Sequence, residues 1–96
     1  MILDWDREAR AEFDDATDYY EEQADGLGDR FIGQIEATTA RILINPLMPR
    51  CFYGECRKVK ADKFPYVVIY RVKGELLQII AVMHTSRHPD SWKSRL

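Results

Sequence analysis

Residues 81–92, AVMHTSRHPDSW, end an apolar run in two histidines, an arginine, a proline and a lone tryptophan. Such residues at one strand end support four readings: acid–base chemistry, a metal site, a docking surface, or the plain end of a core strand. Acid–base work on RNA is the most concrete enzymatic one. Cleavage through RNA's own 2′-hydroxyl needs a base, an acid and positive charge on the phosphate. Arg57, Lys58, Lys60, Arg71, His84, Arg87 and a tyrosine supply those types within half of the chain. A lone histidine at a strand end also serves structure, by capping a carbonyl or packing on a ring. Arg87 suits binding, because a guanidinium matches phosphate and carboxylate geometry. His88, just before Pro89, reads as a turn residue. Trp92 is a packing anchor or an interface contact.

Two cysteines and two histidines invite a tetrahedral zinc site. Four residues separate Cys51 from Cys56, and three separate His84 from His88. Between the pairs, however, lie two whole strands, where a zinc finger has roughly twelve to fifteen residues. No metal and no cofactor is expected. The chain has no Gly-x-Ser-x-Gly elbow. Its only clustered glycines, Gly26 and Gly28, sit on an acidic turn rather than a phosphate loop.

The elements that position this cluster follow from pattern. Asp6 is a predicted N-cap, with Glu8 in the first turn to suit the helix dipole. Ala9, Phe13, Ala16 and Tyr20 recur at helical spacing, and Glu12, Asp14, Asp15, Asp18, Glu21 and Glu22 form the face assigned to solvent. DGLGD at 25–29 breaks the helix. Leu27, Phe31, Ile35, Thr38 and Ile42 then mark a second helix, which ends at Asn45-Pro46. After a loop with two prolines the period changes. ECRKVKAD, FPYVVIYRV and ELLQIIAVMH read as strands, the last two joined by a turn at 73–75. MIL at the start is a further edge strand. The expected fold is α+β: an N-terminal antiparallel helix hairpin on one face of a three- to four-stranded antiparallel sheet, with a short C-terminal tail.

A sheet covered on one side should alternate apolar and polar residues. Here the last two strands are apolar on both sides. Tyr66, Val68 and Tyr70 oppose Val67 and Ile69; Leu77, Ile79, Ala81 and Met83 oppose Leu76, Ile80 and Val82. The helix hairpin covers only one face. The other is left to the tail with Trp92, to a second chain, or to an exposed apolar patch. Five residues after a proline cover little area, so a second chain is the expected cover.

Ninety-six residues make a single domain over 1–96, large enough for one modest core. An apolar content of 46% with 31% charged residues excludes a disordered chain. LLQIIAVM is too short to span a bilayer, and MILDWDREAR lacks the pattern of a signal peptide. A cytoplasmic protein with reduced thiols is expected, with no membrane partner. The net charge of −2 conceals an asymmetry: residues 1–45 carry 12 acids against 4 arginines, and residues 46–96 carry 10 Lys and Arg against 4 acids. A basic half suits nucleic acid or an acidic partner, or is simply a solvated face.

The Asp6–Ala9 helix start, the helix end ILINPLMPR, Arg57 opening a basic strand, FPYVVIYRV and IIAVMHTSRHPDSW together resemble the RelE/ParE superfamily of toxins from type II toxin–antitoxin modules. The resemblance covers nearly the whole chain. It implies a toxin held inactive by a cognate antitoxin that covers the sheet surface, for which Tyr66, Val68, Tyr70, Leu76, Ile80 and Val82 are the candidates. Operator DNA would be bound only through the antitoxin. One branch of the superfamily inhibits DNA gyrase; the other cuts mRNA on the ribosome. HTSRHPDSW and the modest pI of about 5.6 look more like the ParE-like, plasmid-stabilisation branch. That implies a gyrase poison without catalytic residues, docking through Arg57, Lys58, His84, Arg87, Trp92, Lys93 and Arg95. The alternatives are a RelE-type endoribonuclease using the basic set above, or a degenerate, non-toxic partner-binding member.

Overall fold

A computed structural model describes all residues, Met1–Leu96. The chain runs β1 (Ile2–Trp5), α1 (Arg7–Gln23), α2 (Leu27–Ile44), β2 (Arg57–Lys60), β3 (Tyr66–Lys73), β4 (Leu76–His84) and a single 3-10 turn (Lys93–Arg95). Asp6 caps α1: its Oδ2 accepts the backbone N–H groups of Glu8 at 2.9 Å and Ala9 at 3.4 Å. Gly26 turns the chain at φ +82°, in the left-handed region. Glu21 then caps α2, accepting the N–H groups of Gly26 at 3.1 Å and Gly28 at 3.0 Å. A Cβ on Gly28 would lie 3.0 Å from the Thr17 carbonyl oxygen, so the two helices close only over hydrogen. No helix is long and apolar enough to cross a membrane.

The sheet order is β1-β4-β3-β2. The pairs β2–β3 and β3–β4 are antiparallel, as expected, but β1 runs parallel to β4, with Ile2 beside Leu76 and Trp5 beside Ile79. The sheet is therefore mixed rather than purely antiparallel. Parallel neighbours need a long crossover, and here the helix hairpin and two strands supply it. Ala9, Phe13, Ala16, Phe31, Ile35 and Ile42 from the helices pack with Val68, Tyr70, Leu77, Ile79 and Val82 from the sheet.

Strict alternation fails at one point in β4. Ile69 pairs with Ala81 but Tyr70 pairs with Ile79, so Ile80 is an extra residue. Beyond the bulge the faces exchange. Leu77 and Ile79 point to the helices, but Ala81 and Met83 join Ile69 and Ile80 on the opposite side. That second face is closed by the tail of the same chain, not by a second chain. Trp92 is 1% exposed and packs with Cys56, Ile69, Ile80, Ala81 and Met83. Its indole N–H donates to the Pro89 carbonyl at 2.7 Å, so the ring is buried with its polar atom satisfied.

The tail is fastened by an ion pair that helix patterning assigns to solvent. Because β1 stops opposite Ile79, β4 has no strand neighbour on that side beyond this point. Two side chains serve the open edge instead. Glu12 accepts the Val82 N–H at 3.1 Å, and Arg95 donates to the Ile80 carbonyl at 3.1 Å. The two also grip each other, Nη1–Oε1 at 2.6 Å and Nη2–Oε2 at 3.0 Å. Arg95 Nε lies 2.8 Å from Glu8 Oε2, but off the N–H direction, so that contact is Coulombic rather than a hydrogen bond.

Candidate functional site

β3 begins at Tyr66 and β4 ends at His84, and the two are register partners. Their rings meet edge to face, 5.4 Å apart. A tight turn follows, with the Thr85 N–H donating to Pro65 and the Arg87 N–H to the His84 carbonyl. The Ser86 N–H donates to His84 Nδ1 at 3.0 Å, and Ser86 Oγ lies 2.8 Å from the same atom. A backbone N–H can only donate, so Nδ1 is an acceptor and the neutral ring carries its hydrogen on Nε2. His84 thus presents a donor outward.

Two clefts flank this strand end and share Met83, His84 and Arg87. One, of about 340 Å³, adds Phe52, Tyr53, Lys58, Val67, Asp90, Trp92 and Lys93. The other, of about 270 Å³, adds Glu12, Asp15, Tyr19 and Tyr66. Arg87 is exposed, and its guanidinium has no acceptor within the chain. Lys58 Nζ sits 4.6 Å over the Phe52 ring and Lys93 Nζ 4.0 Å over that of Tyr53. Lys93 also lies 2.6 Å from Asp90 Oδ1, and that hydrogen bond, with the charge behind it, lowers the Asp90 carboxyl pKa.

The remaining basic residues have other duties. Arg57 donates to the Leu47 carbonyl at 3.0 Å and to that of Pro49, holding the proline loop against β2. Lys60 donates to the carbonyls of Ala61 and Phe64. Arg71 bonds Gln78 at 2.8 Å, and Gln78 bonds Asp4, a polar ladder across β3, β4 and β1. Arg95 is 6% exposed in its clasp with Glu12, and Trp92 is core. Of the expected target-binding residues, the structure brings together Lys58, His84, Arg87 and Lys93 on one cleft. Arg57, Trp92 and Arg95 shape the loop and the tail behind it. Of the nuclease set, Lys58, His84 and Arg87 share the cleft; Arg57, Lys60 and Arg71 do not.

A proton acceptor is the missing part. Burial pushes the Tyr66 phenol pKa up, aided by Tyr20, Tyr19 and Glu12 and opposed by Arg87. Tyr66 is therefore a neutral phenol at pH 7. His84 Nδ1, Asp90 and Glu12 are already engaged, and the one carboxylate without a partner, Asp15, lies in the cleft away from Lys58 and Lys93. What the Lys58 cleft offers is donors and positive charge. No group of three or more metal-ligating side chains converges anywhere, and Cys51 and Cys56 are free thiols, one exposed and one buried.

The antitoxin candidates divide differently. Val68, Tyr70 and Val82 are fully buried under the helix hairpin, and Ile80 lies under the tail at 3% exposure. Only Tyr66 and Leu76 retain accessible surface. The physical reason is the bulge together with closure by the tail, which cover these positions on both faces of the sheet. The largest cavity, about 770 Å³, lies instead between α1, α2 and β1. Leu3, Trp5, Phe13, Ile32, Ile35 and Leu43 floor it, and Asp14, Asp18 and Glu36 rim it with Arg10. Sequence reading missed this groove because its walls come from three elements, each of which reads as ordinary core. The paired rings Phe52 and Tyr53 were missed as well; two aromatics after a proline loop carry no periodic signal.

The model of the ParE toxin of the parDE type II toxin–antitoxin system matches residues 3–89 of this chain. No curated protein matches its sequence. Among solved structures, the chromosomal ParDE system of P. aeruginosa is similar with a TM-score of 0.65 and 22% identity, over 88% of this chain and 95% of that one. A doubly substituted E. coli toxin RelE in the free state gives 0.66 and 18%, over 99% and 96%. The same RelE mutant in complex with a peptide of the antitoxin RelBc gives 0.63 and 19%, over 99% and 93%. At these identities the solved structures bear on the fold.

Proposed function

Because the chain belongs to the ParE toxin family of type II toxin–antitoxin systems, we propose that it inhibits DNA gyrase in the cytoplasm by docking, without chemistry of its own. The observation that carries this reading is the strand-end rim. It gathers Lys58, His84, Arg87 and Lys93 on one cleft whose own lining offers no free base, since the Ser86 N–H holds His84 Nδ1 and Lys93 holds Asp90. A surface of donors and cations binds; cutting RNA through its 2′-hydroxyl also needs a proton acceptor. A ribosome-bound nuclease also gains from a large positive excess, whereas this chain has a net charge of −2.

Neutralisation is assigned to an antitoxin whose apolar segment fills the groove between α1, α2 and β1. The groove is a preformed apolar cleft with an acidic rim, suited to an amphipathic helix carrying Lys or Arg at its margins. On a plasmid, such a pair would stabilise its carrier, because the antitoxin must be continually replaced.

A pulse-label in cells expressing the chain without its antitoxin tests the target. Thymidine incorporation failing before methionine incorporation is the expected result. Methionine failing first would overturn the gyrase reading in favour of mRNA cleavage. Neither failing, with soluble protein present, would leave only a partner-binding module.

A further inference from the structure

Phe52 and Tyr53 remain 40% and 44% exposed, although burying an aromatic ring is worth a few kcal/mol. Each ring carries a lysine, Lys58 over Phe52 and Lys93 over Tyr53. Both rings rest on Trp92, at 5.5 and 5.6 Å between centroids. Trp92 is core, so the pair is mounted on a rigid base. The unpaired Arg87 lines the same cleft. The cleft therefore repeats one unit twice: a flat ring with a lysine lying over its face, on a flexible stem that can swing off to a phosphate as a base takes its place. A nucleic acid strand repeats the complementary unit, a base with a phosphate.

We propose that this cleft binds single-stranded DNA, with bases stacked on Phe52 and Tyr53 and phosphates held by Lys58 and Arg87. Base–ring stacking with a cationic groove is the usual physics of strand binding without sequence preference. Duplex DNA fits poorly, because its bases are already stacked on one another. An acidic peptide would satisfy the cations but give the rings no flat partner. RNA is disfavoured because little is left to read its 2′-hydroxyl: besides the cations and His84, the polar side chains of the lining are Tyr53, Thr85 and Asp90, of which Tyr53 is assigned to a base and Asp90 is held by Lys93. The inference rests on the gyrase reading, in which the target holds broken DNA, and assigns this part of the rim to the DNA rather than to the enzyme.

The test is fluorescence anisotropy with the full chain and a labelled oligothymidylate of about twelve nucleotides, against a duplex and an oligouridylate of equal length, across a salt series. The expected result is binding of the DNA strand at least roughly tenfold tighter than of the duplex. Phe52→Leu should weaken it roughly tenfold with an unchanged salt slope, and Lys58→Gln should lower that slope by about one. No binding, equal binding of strand and duplex, tighter binding of RNA, or an unaltered Phe52→Leu variant would each overturn the proposal. Should Phe52→Leu fail to fold, photo-crosslinking of the unsubstituted chain to an iododeoxyuridine strand replaces it. A crosslink at Phe52 or Tyr53 supports the site, and crosslinks only elsewhere sink it. Loss of strand binding while DNA synthesis still fails first in cells would remove this inference and leave the gyrase reading standing.

Discussion

Arg87 and Arg95 look alike in the sequence and differ completely in what holds them. Arg87 is exposed and unpaired; Arg95 is clasped by Glu12 and is 6% exposed. Arg87→Ala should therefore reduce toxicity sharply, with His84→Ala weaker in the same direction. Both should leave stability within about 0.5 kcal/mol. Growth of cells expressing each variant, with thermal unfolding and antitoxin pull-down as controls, checks this; two fully toxic variants would remove the rim from target binding. Residue type alone marked the basic residues as a set. It could not separate them, because a carbonyl acceptor such as that of Leu47 or Pro49 leaves no trace in a side-chain pattern. Three tyrosines give a second test. Burial raises the pKa values of Tyr20, Tyr66 and Tyr70 from 10.0. In the window above pH 10 the unfolded chain releases these protons and the folded one keeps them. Their contribution is intact below pH 10, starts to be lost there, and is gone once the raised folded values are passed. Urea midpoints should thus fall as pH rises beyond 10, with phenolate absorbance from these rings appearing late. A flat midpoint across that range would contradict their burial.

At the scale of elements, the two helices were legible from their period and the four strands from alternation or apolar, β-branched runs, with punctuation at Asp6, Gly26, Pro46 and Gly74. The parallel pairing of β1 was not, since four residues carry no direction signal. Nor was the bulge at Ile80, because an inserted residue in an all-apolar strand changes no residue type. It nevertheless decides which side chains face the helices. Glu12 is the element-scale consequence. Its acceptors serve Val82 and Arg95, and Arg95 lies 83 residues away, beyond any local pattern. Glu12→Ala should cost about 3 kcal/mol, because it strips a buried guanidinium of its bidentate partner and leaves the Val82 N–H without an acceptor. Adding Arg95→Met should recover much of that loss. Glu8→Ala, at a 65% exposed side chain, should cost no more than about 1 kcal/mol. Chemical denaturation of the three variants decides it. Equal losses for Glu8 and Glu12 would mean that the clasp is only a surface pair. The helix turn has a test of its own: Gly28→Ala forces a Cβ to 3.0 Å from a backbone oxygen, and about 2 kcal/mol of strain is expected.

The whole molecule sorts charge by function. The acidic half of the chain forms β1 and the helix hairpin; the basic half forms the remaining strands, the proline loop and the tail. The apolar groove with acidic margins lies on the first, and the cleft with free cations on the second. Composition revealed the asymmetry, but only the fold shows that it falls on two separate surfaces. Separate surfaces imply separable losses. Leu43→Glu places a charge in the apolar lining of the groove, where an apolar partner face would have to bury it. Leu43 is 38% exposed, so the free chain should fold with little penalty. Such a variant should stay toxic and escape neutralisation, weakening antitoxin binding by two orders of magnitude or more if about 3 kcal/mol of apolar contact and desolvation is lost. Arg87→Ala should do the reverse, keeping antitoxin binding and losing toxicity. Asp14→Asn with Asp18→Asn should weaken antitoxin binding mainly at low salt, since rim charges act through screened attraction. Co-expression of each variant with the antitoxin, scored for growth and for complex recovered, reads both axes at once. If Leu43→Glu were still fully neutralised, the antitoxin would have to bind elsewhere. The remaining route to the sheet would be displacement of the tail, and exposure of Trp92 on complex formation would report it.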